Sequence, residues 1–434
     1  MPKKSLLLIH PAQDKDRLGE RRRRHAYMPK LNLAALAAHV DESLFDVKIV
    51  DETVEDIDFR ANPDLVGITV LTNVSKRSYE IASHFRKQGA KIVLGGFHVF
   101  FLPDEAEQHA DSIVIGEAEG AWDDLLRDFL AGELKNRYQT SSPHDMTSLP
   151  KPRLDLLKQD AYTRLNIMET ARGCPHQCAY CSVTLFWGGK FRFRPIGEVV
   201  DEIRSMPPGK IIFVDDNIIG SPQRAKELFQ AMLPLKRRWS GQADLKISRD
   251  PELLRLCAES GCRWLFMGLE STNVDNLRDV GKAKVNDVPD YSRGLAAIHQ
   301  AGIKVFGSFI LGLDHDDITS FDRTVQFCVD NRLAGVNFYI LTPLPFTKLF
   351  DEMDRQGRIL HKDWSLYDMN HVVFKPALMS PEELLEGYLN AYRSLYSMGS
   401  IIKRCWNKSD LGELLALNVG RKLNYSRFKQ GCLV

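Results

Sequence analysis

No run of apolar residues in this chain approaches the roughly 20 needed to cross a bilayer as a helix, and no leader precedes the first apolar stretch. The expectation from both absences is a cytoplasmic protein without an integral membrane segment. An excess of one charge sign is missing too. Lys and Arg total 58 against 57 Asp and Glu, a formal net charge of +1. Such a balance argues against bulk electrostatic binding to nucleic acid or anionic lipid. The local exception is Arg21-Arg22-Arg23-Arg24-His25, a solvated loop or a cover over a phosphate-bearing ligand. Cysteine is scarce, with eight in 434 residues, and disulfides are not expected in a reducing compartment. Cys257, Cys262 and Cys328 show no ligand-like grouping and read as core packing. Cys405 and Cys432 carry no assignment.

What is present is a chain too long for one core. Over the first 130 or so residues, short apolar runs alternate with helical patterns. Strands are expected at Ser5–Ala12, Phe45–Glu52, Leu65–Thr72, Lys91–Gly96 and Ser112–Gly120, with helices at Leu31–Val40 and Lys76–Gln88. That rhythm implies an open parallel sheet covered on both faces, with ligands at the carboxyl ends of its strands. Those ends carry Thr69, Thr72 and Asn73, then Gly95, Gly96, Phe97 and His98, then Gly116 and Glu117. The polar stretch Leu134–Asp155 reads as a linker.

A second alternating series starts near Asn166. Its strands are expected at Asn166–Thr170, Lys210–Val214, Asp244–Ser248, Trp264–Gly268, Lys304–Leu311 and Gly335–Leu341. Six strand–helix repeats imply a partial barrel with functional residues at the strand carboxyl ends. The fold class is therefore α/β: an N-terminal Rossmann-like open parallel sheet (1–135), a linker (136–160), a partial (β/α)6 TIM-type barrel (161–355) and a mainly helical C-terminal segment (356–434). In that last segment Ser380 reads as an N-cap with Pro381 at the first helical position, opening a helix to Cys405.

The stretch "ETARGCPHQCAYCSV" (Glu169–Val183) places Cys174, Cys178 and Cys181 in a C-x3-C-x2-C pattern directly after an expected strand. A structural zinc site needs four protein ligands, which His176 or a remote side chain would have to complete. A 4Fe–4S cluster normally takes four cysteines, and three would leave one iron open to bind something that reacts.

At this loop the sequence resembles the radical S-adenosylmethionine (radical SAM) superfamily, down to the aromatic Tyr180 before the third cysteine. The resemblance implies that Cys174, Cys178 and Cys181 hold a 4Fe–4S cluster. Its open iron would bind SAM, and an electron would split SAM to methionine and a 5′-deoxyadenosyl radical. It also implies an external electron donor of the flavodoxin or ferredoxin type and a small-molecule substrate. Further SAM contacts follow in strand order: Tyr180, then Asp215 and Asp216, then Ser248 and Arg249, then Glu270, then Ser308 and Gly312. "LTPLPFTKLF" (Leu341–Phe350) resembles the sixth-strand segment of the family, with Phe346 where glycine is usual. The bland reading of Asp215 and Asp216 is a solvated loop.

An open sheet ahead of such a core resembles the cobalamin-binding class of the superfamily. In that class the contacts to cobalamin would be Thr69, Thr72, Asn73, Ser75, Gly95, Gly96, His98, Gly116 and Glu117. The Asp-x-His-x-x-Gly motif of mutase-type cobalamin proteins is absent, so no lower axial histidine is assigned. His98 is either a contact or a satisfied structural histidine, and the domain either holds cobalamin or has lost it. The function implied is methylation of an unactivated carbon in a lipid, tetrapyrrole or natural product. Strand carboxyl ends of the two domains would face each other. A radical cyclase or rearrangement enzyme, and a non-enzymatic cobalamin or cluster sensor, are the alternatives.

Overall fold

The computed structural model describes residues 2–13, 28–140, 142–162, 165–405 and 411–432, the side chains of 165 and 424–432 excepted. The arginine run at 21–24 and the side chain of Cys432 lie outside the described residues. The chain divides into two compact units. The first is Met1–Ile167 with Leu185–Gly188 and Asp363–Ser365, and the second holds the remainder.

The first unit is built on strands β1 (Lys4–His10), β2 (Phe45–Asp51), β3 (Leu65–Thr69), β4 (Lys91–Gly95), β5 (Ser112–Ile115) and β6 (Arg137–Gln139). They pair in parallel in the order β2-β1-β3-β4-β5-β6. Continuous apolar runs suit such strands because helices cover both faces. Leu6 and Leu8 enter one core, and Leu7 and Ile9 enter the other, the period-two alternation of a strand. Sheet order reverses between β1 and β3, which makes the crevice at their carboxyl ends the natural ligand position. The stretch from Leu134, expected as linker, opens instead with β6. Tyr138 pulls it into the sheet: the ring is buried and its hydroxyl donates to Asp128 Oδ2 at 2.7 Å.

The second sheet takes β7 (Leu165–Met168), β10 (Lys210–Phe213), β11 (Trp239–Gln242), β12 (Cys262–Glu270), β13 (Lys304–Leu311) and β14 (Gly335–Ile340), with a hairpin of β8 (Ala171–Arg172) and β9 (Arg192–Phe193) beside it. Its order is β14-β13-β12-β11-β10-β7, and the β10-to-β14 pairs are parallel. The third barrel strand is β11, not Asp244–Ser248. Asp244 caps a 3-10 helix over Leu245–Arg249 by accepting from Lys246 N, and this local bond takes the chain out of the sheet. Cys257, Cys262 and Cys328 are fully buried in the core of this unit, and Cys405 is equally buried.

The C-terminal segment forms helices Pro381–Leu395, Met398–Cys405 and Leu411–Cys432. Ser380 caps the first, with Glu383 completing a capping box and Pro381 in the first turn. The expected single helix to Cys405 is interrupted at Tyr396. Arg404 is fully buried and donates to the carbonyls of Leu333 and Leu395 at 2.9 and 3.0 Å. Among the described residues no helix is long and apolar enough to cross a membrane.

Candidate active site

The cysteine loop leaves the barrel at its carboxyl end, and buried polar groups fix its entry. Asp215, at the end of β10, accepts from Thr170 N at 2.6 Å, Thr170 Oγ1 at 2.5 Å and Ala171 N at 3.3 Å. Full burial pushes its carboxyl up to about 7. Asp215 therefore holds the strand end that carries the loop, and its expected contact to SAM is corrected. Gly173 turns the chain with φ +93°. Within the loop Cys181 N donates to Cys178 O at 3.1 Å, and Ala179 N donates to Val280 O at 3.0 Å.

The three thiols are partly buried and none is in a disulfide. Burial raises all three, Cys181 to about 11, and each of the three lies within electrostatic reach of another. Among the described residues no three His, Cys, Asp or Glu side chains are gathered closely enough to hold one metal ion. The donor set fits a group with one metal at each sulfur better than a single zinc. His176 is engaged elsewhere, its Nε2 lying 2.8 Å from Asp244 Oδ2. Asn217 donates to the same oxygen at 2.9 Å.

Beside the thiols stands a pair that the sequence reading half missed. Lys282 Nζ lies 3.5 Å from Glu270 Oε1, with side chains only 13% and 10% exposed. Burial alone would lower the Lys282 ammonium, but Glu270, Cys178, Cys174 and Asp244 outweigh it and the net shift is upward. Glu270 ends β12 in the left-handed region, φ +69°, next to a register shift. Asn286 and Tyr291 hold that bulge by donating to Gly268 and Leu269 carbonyls at 2.6 to 2.9 Å. Burial, and then Glu270, drive the Tyr180 phenol upward. Tyr180, Glu270 and the cysteines are thus brought together as expected. Lys282 lies in "VGKAKV", which reads as an ordinary exposed turn, so no local signal marked it.

The remaining expected SAM residues divide. Asp216 is close enough to raise the Cys174 thiol. Ser308 is buried within β13, level with Gly268 of β12. Ser248 donates to Leu245 O at 2.8 Å, and its oxygen would lie 2.7 Å from a Cβ on Gly294. Arg249 is half exposed and paired with Asp290 and Asp287 at 3.2 and 3.5 Å. Both are committed to a 3-10 helix and its neighbours rather than to a strand end, which corrects their expected place. Gly312 has φ +91°, and a Cβ there would come within 2.6 Å of Leu384. The side a Cβ would occupy is filled by Leu384 of the C-terminal helix and by Phe374. Asp316 holds the turn by accepting from Gly312 N and Leu313 N at 3.0 and 3.1 Å.

In the first unit the expected residues cluster at the strand carboxyl ends. Thr69 ends β3 and accepts from Asn32 Nδ2 at 3.2 Å. Gly95 ends β4, and Gly96, at φ +107°, brings backbone so near β3 that a Cβ would meet Val70 O at 3.0 Å. Thr72 and Ser75 are buried at the start of the helical stretch after β3, and Asn73 Nδ2 donates to Gln13 Oε1 at 3.3 Å. Gly116 has φ +93° with nothing within 4 Å of its missing Cβ, and Glu117 beside it is buried. His98 is fully buried and its Nε2 lies 3.1 Å from Glu105 Oε1, an acid that Tyr79 and Trp364 also bond. The hydrogen bond from His98 leads in lowering Glu105 to about 2. His98 is thus held through Nε2, while its buried Nδ1 has no hydrogen-bond partner among the described residues, so both readings of it stay open. His10, unremarked in the sequence, ends β1 at the order reversal. It is buried, its Nδ1 has no partner, and burial lowers it to about 4. An orphaned nitrogen and open ground at Gly116 fit a polar cofactor at this end.

A Radical SAM superfamily model matches residues 168–328, a B12 binding domain model matches 21–126, and a domain of unknown function (DUF4070) matches 347–419. The chain is 34% identical to bacteriochlorophyllide d C-12(1)-methyltransferase of Chlorobaculum tepidum, over 87% of this chain and 85% of that protein. It is 30% identical to bacteriochlorophyllide d C-8(2)-methyltransferase of the same organism, over 82% and 83%. In fold it is similar to the radical SAM methyltransferase TsrM of Kitasatospora setae, with a TM-score of 0.73, 15% identity and 99% of both chains covered.

Proposed function

The chain belongs to the radical SAM superfamily, in the class that carries a B12-binding domain, and from that premise we propose that it methylates a carbon of a tetrapyrrole. The observation that carries this reading is the likeness, along most of its length, to two methyltransferases of bacteriochlorophyllide d. When bound, the cluster with SAM supplies hydrogen abstraction from carbon, and cobalamin supplies the methyl group.

In this reading Cys174, Cys178 and Cys181 hold the cluster, and an external flavodoxin- or ferredoxin-type donor reduces it. Lys282 and Glu270, a cation and an anion 3.5 Å apart, match the carboxylate and ammonium of SAM, and Tyr180 orients Glu270. Asp216 follows β10, and Ser308 lies within β13, level with Gly268 of β12. Burial around the pair excludes water and strengthens both attractions. Thr69, Thr72, Asn73, Ser75, Gly95, Gly96, Gly116 and Glu117, with His10, would surround cobalamin.

The test is an anaerobic reaction of the reconstituted protein with SAM, hydroxocobalamin, reductant and bacteriochlorophyllide d, so that every methyl group must come from SAM. The expected result is a pigment heavier by one CH2, with S-adenosylhomocysteine and 5′-deoxyadenosine formed in equal amounts. Deoxyadenosine without S-adenosylhomocysteine would instead indicate radical chemistry that moves no methyl group.

A further inference from the structure

We propose that Gly268 is a positioning residue for SAM, its absent side chain leaving the space in which the Glu270 carboxylate and the Lys282 ammonium stand. This rests on the reading of that pair given above.

Gly268 lies inside β12 and pairs with Ser308 of β13. Glycine weakens a strand interior, and its presence there marks a close approach. Gly268 is not among the glycines with positive φ, so its φ gives no reason for glycine. Space does. A Cβ at this position would overlap Glu270 Oε1, come within 3.1 Å of Glu270 Cδ and lie 3.6 Å from Lys282 Nζ. The carboxylate is thus folded back over the Gly268 backbone, with the ammonium beside it.

Glu270 has one way to yield. Its backbone is fixed by the left-handed turn at φ +69° and by bonds to the two residues before it. Asn286 Nδ2 donates to the carbonyls of Gly268 and Leu269 at 2.8 and 2.9 Å, and the Tyr291 hydroxyl donates to Leu269 O at 2.6 Å. Both donors are fully buried. Rotation of the Glu270 side chain remains, and it takes the carboxylate out of its place 3.5 Å from Lys282 Nζ. A methyl group at Gly268 should therefore leave the fold intact and misalign the two charges. Lys282 and Glu270 keep 13% and 10% of their side-chain surface exposed, so a ligand can reach them. An amino acid whose ammonium and carboxylate must meet both groups at once depends on that alignment.

The experiment measures SAM binding to the reconstituted holoprotein by calorimetry, without reductant, for wild type, Gly268→Ala, Glu270→Ala and the double variant. Thermal denaturation and the cluster spectrum are recorded alongside. Gly268→Ala should keep the brown cluster and raise the Kd for SAM about tenfold or more, the size of one lost charged contact. In the Glu270→Ala background the clashing carboxylate is gone, and the same change should alter the Kd by no more than about twofold. Melting temperatures should show the same non-additivity. Equal weakening by Gly268→Ala in both backgrounds would overturn the assignment of Gly268 and leave that of Glu270 standing. So would a wild-type Kd in Gly268→Ala beside a raised one in Glu270→Ala. A wild-type Kd in Glu270→Ala would sink both. If Gly268→Ala alone does not hold its cluster, the double variant should, and a double variant equally damaged would also overturn the assignment.

Discussion

The hydroxyl of Tyr392 donates to Phe338 O at 3.0 Å and accepts from the amide of that same residue at 3.0 Å. Tyr396 treats Val336 in the same way, at 2.8 and 3.2 Å. Four helical residues rise about 6 Å and two strand residues about 6.6 Å, so phenols four apart on a helix meet residues two apart on a strand. β14 is the last strand of its sheet, and this tyrosine ladder serves its free edge where a further strand would otherwise pair.

Removing one rung should cost measurable stability. Tyr392→Phe leaves the amide and carbonyl of Phe338 buried without their partner, a loss of about 1–3 kcal/mol. Urea denaturation of the purified protein measures it. The double change with Tyr396→Phe should also promote aggregation through the bared edge, visible by light scattering.

Lys282 and Glu270 should behave as a unit. Lys282→Met leaves a buried carboxylate uncompensated, at about 3 kcal/mol or more, and should also raise the Kd for SAM. Adding Glu270→Gln should recover much of the stability while SAM binding stays weak. A double-mutant cycle read by thermal denaturation, beside SAM binding by calorimetry, separates the two effects. Additive stability losses would disprove the coupling.

Asp215 makes a sign-specific pH prediction. Its acid form is favoured in the folded state, where burial moves it from 3.8 to about 7. Between those values the native chain binds more protons than the unfolded one, so this contribution to stability is full below 3.8 and is lost as pH rises towards 7. The slope approaches about 1.4 kcal/mol per pH unit. Asp215→Asn mimics the protonated side chain and removes the dependence. The stability of the variant relative to wild type should therefore rise from pH 4 to pH 7, and a flat difference in chemical denaturation would contradict the assignment.

Phe346 occupies a left-handed backbone position, φ +61°. A side chain there costs about 1–2 kcal/mol relative to glycine. Phe346→Gly should therefore be more stable than Phe346→Ala by about 1 kcal/mol, although both lose the ring. Thermal denaturation of the pair isolates the backbone term, and a higher KM in both variants would report the lost ring at the barrel mouth.

The strand–helix rhythm was legible because apolar runs and caps act over a few residues. β1, β2, β4, β10 and β13 fall within a residue or two of where the pattern puts them. The misplaced third barrel strand shows the limit. "ADLKIS" alternates like a strand, yet the carboxylate of Asp244 bonds the next turn and a 3-10 helix wins. Likewise the proline-bearing stretch after Leu134 gave no hint that Tyr138 would be buried and carry β6 into the sheet.

The grouping of the three cysteines was legible from spacing, and the nearness of Glu270 and Tyr180 to them from segments that resemble the family's. The surroundings of His98 were not legible, because they are made by Glu105, Tyr79 and Trp364, the last of them far along the chain. Lys282 and His10 gave no signal, since nothing local distinguishes a buried lysine or an orphaned imidazole from an exposed one.

By itself, then, the order of residues determined that three thiols share one short loop and that two parallel sheets follow each other, because both depend on neighbours a few positions apart. Only tertiary structure decided which charges are buried together, which carboxylates are spent on backbone, and how β14 finds partners 60 and 54 residues away in Tyr396 and Tyr392. The physical reason is that desolvation and hydrogen-bond pairing are properties of the packed chain, and in it residues remote in sequence supply each other's surroundings.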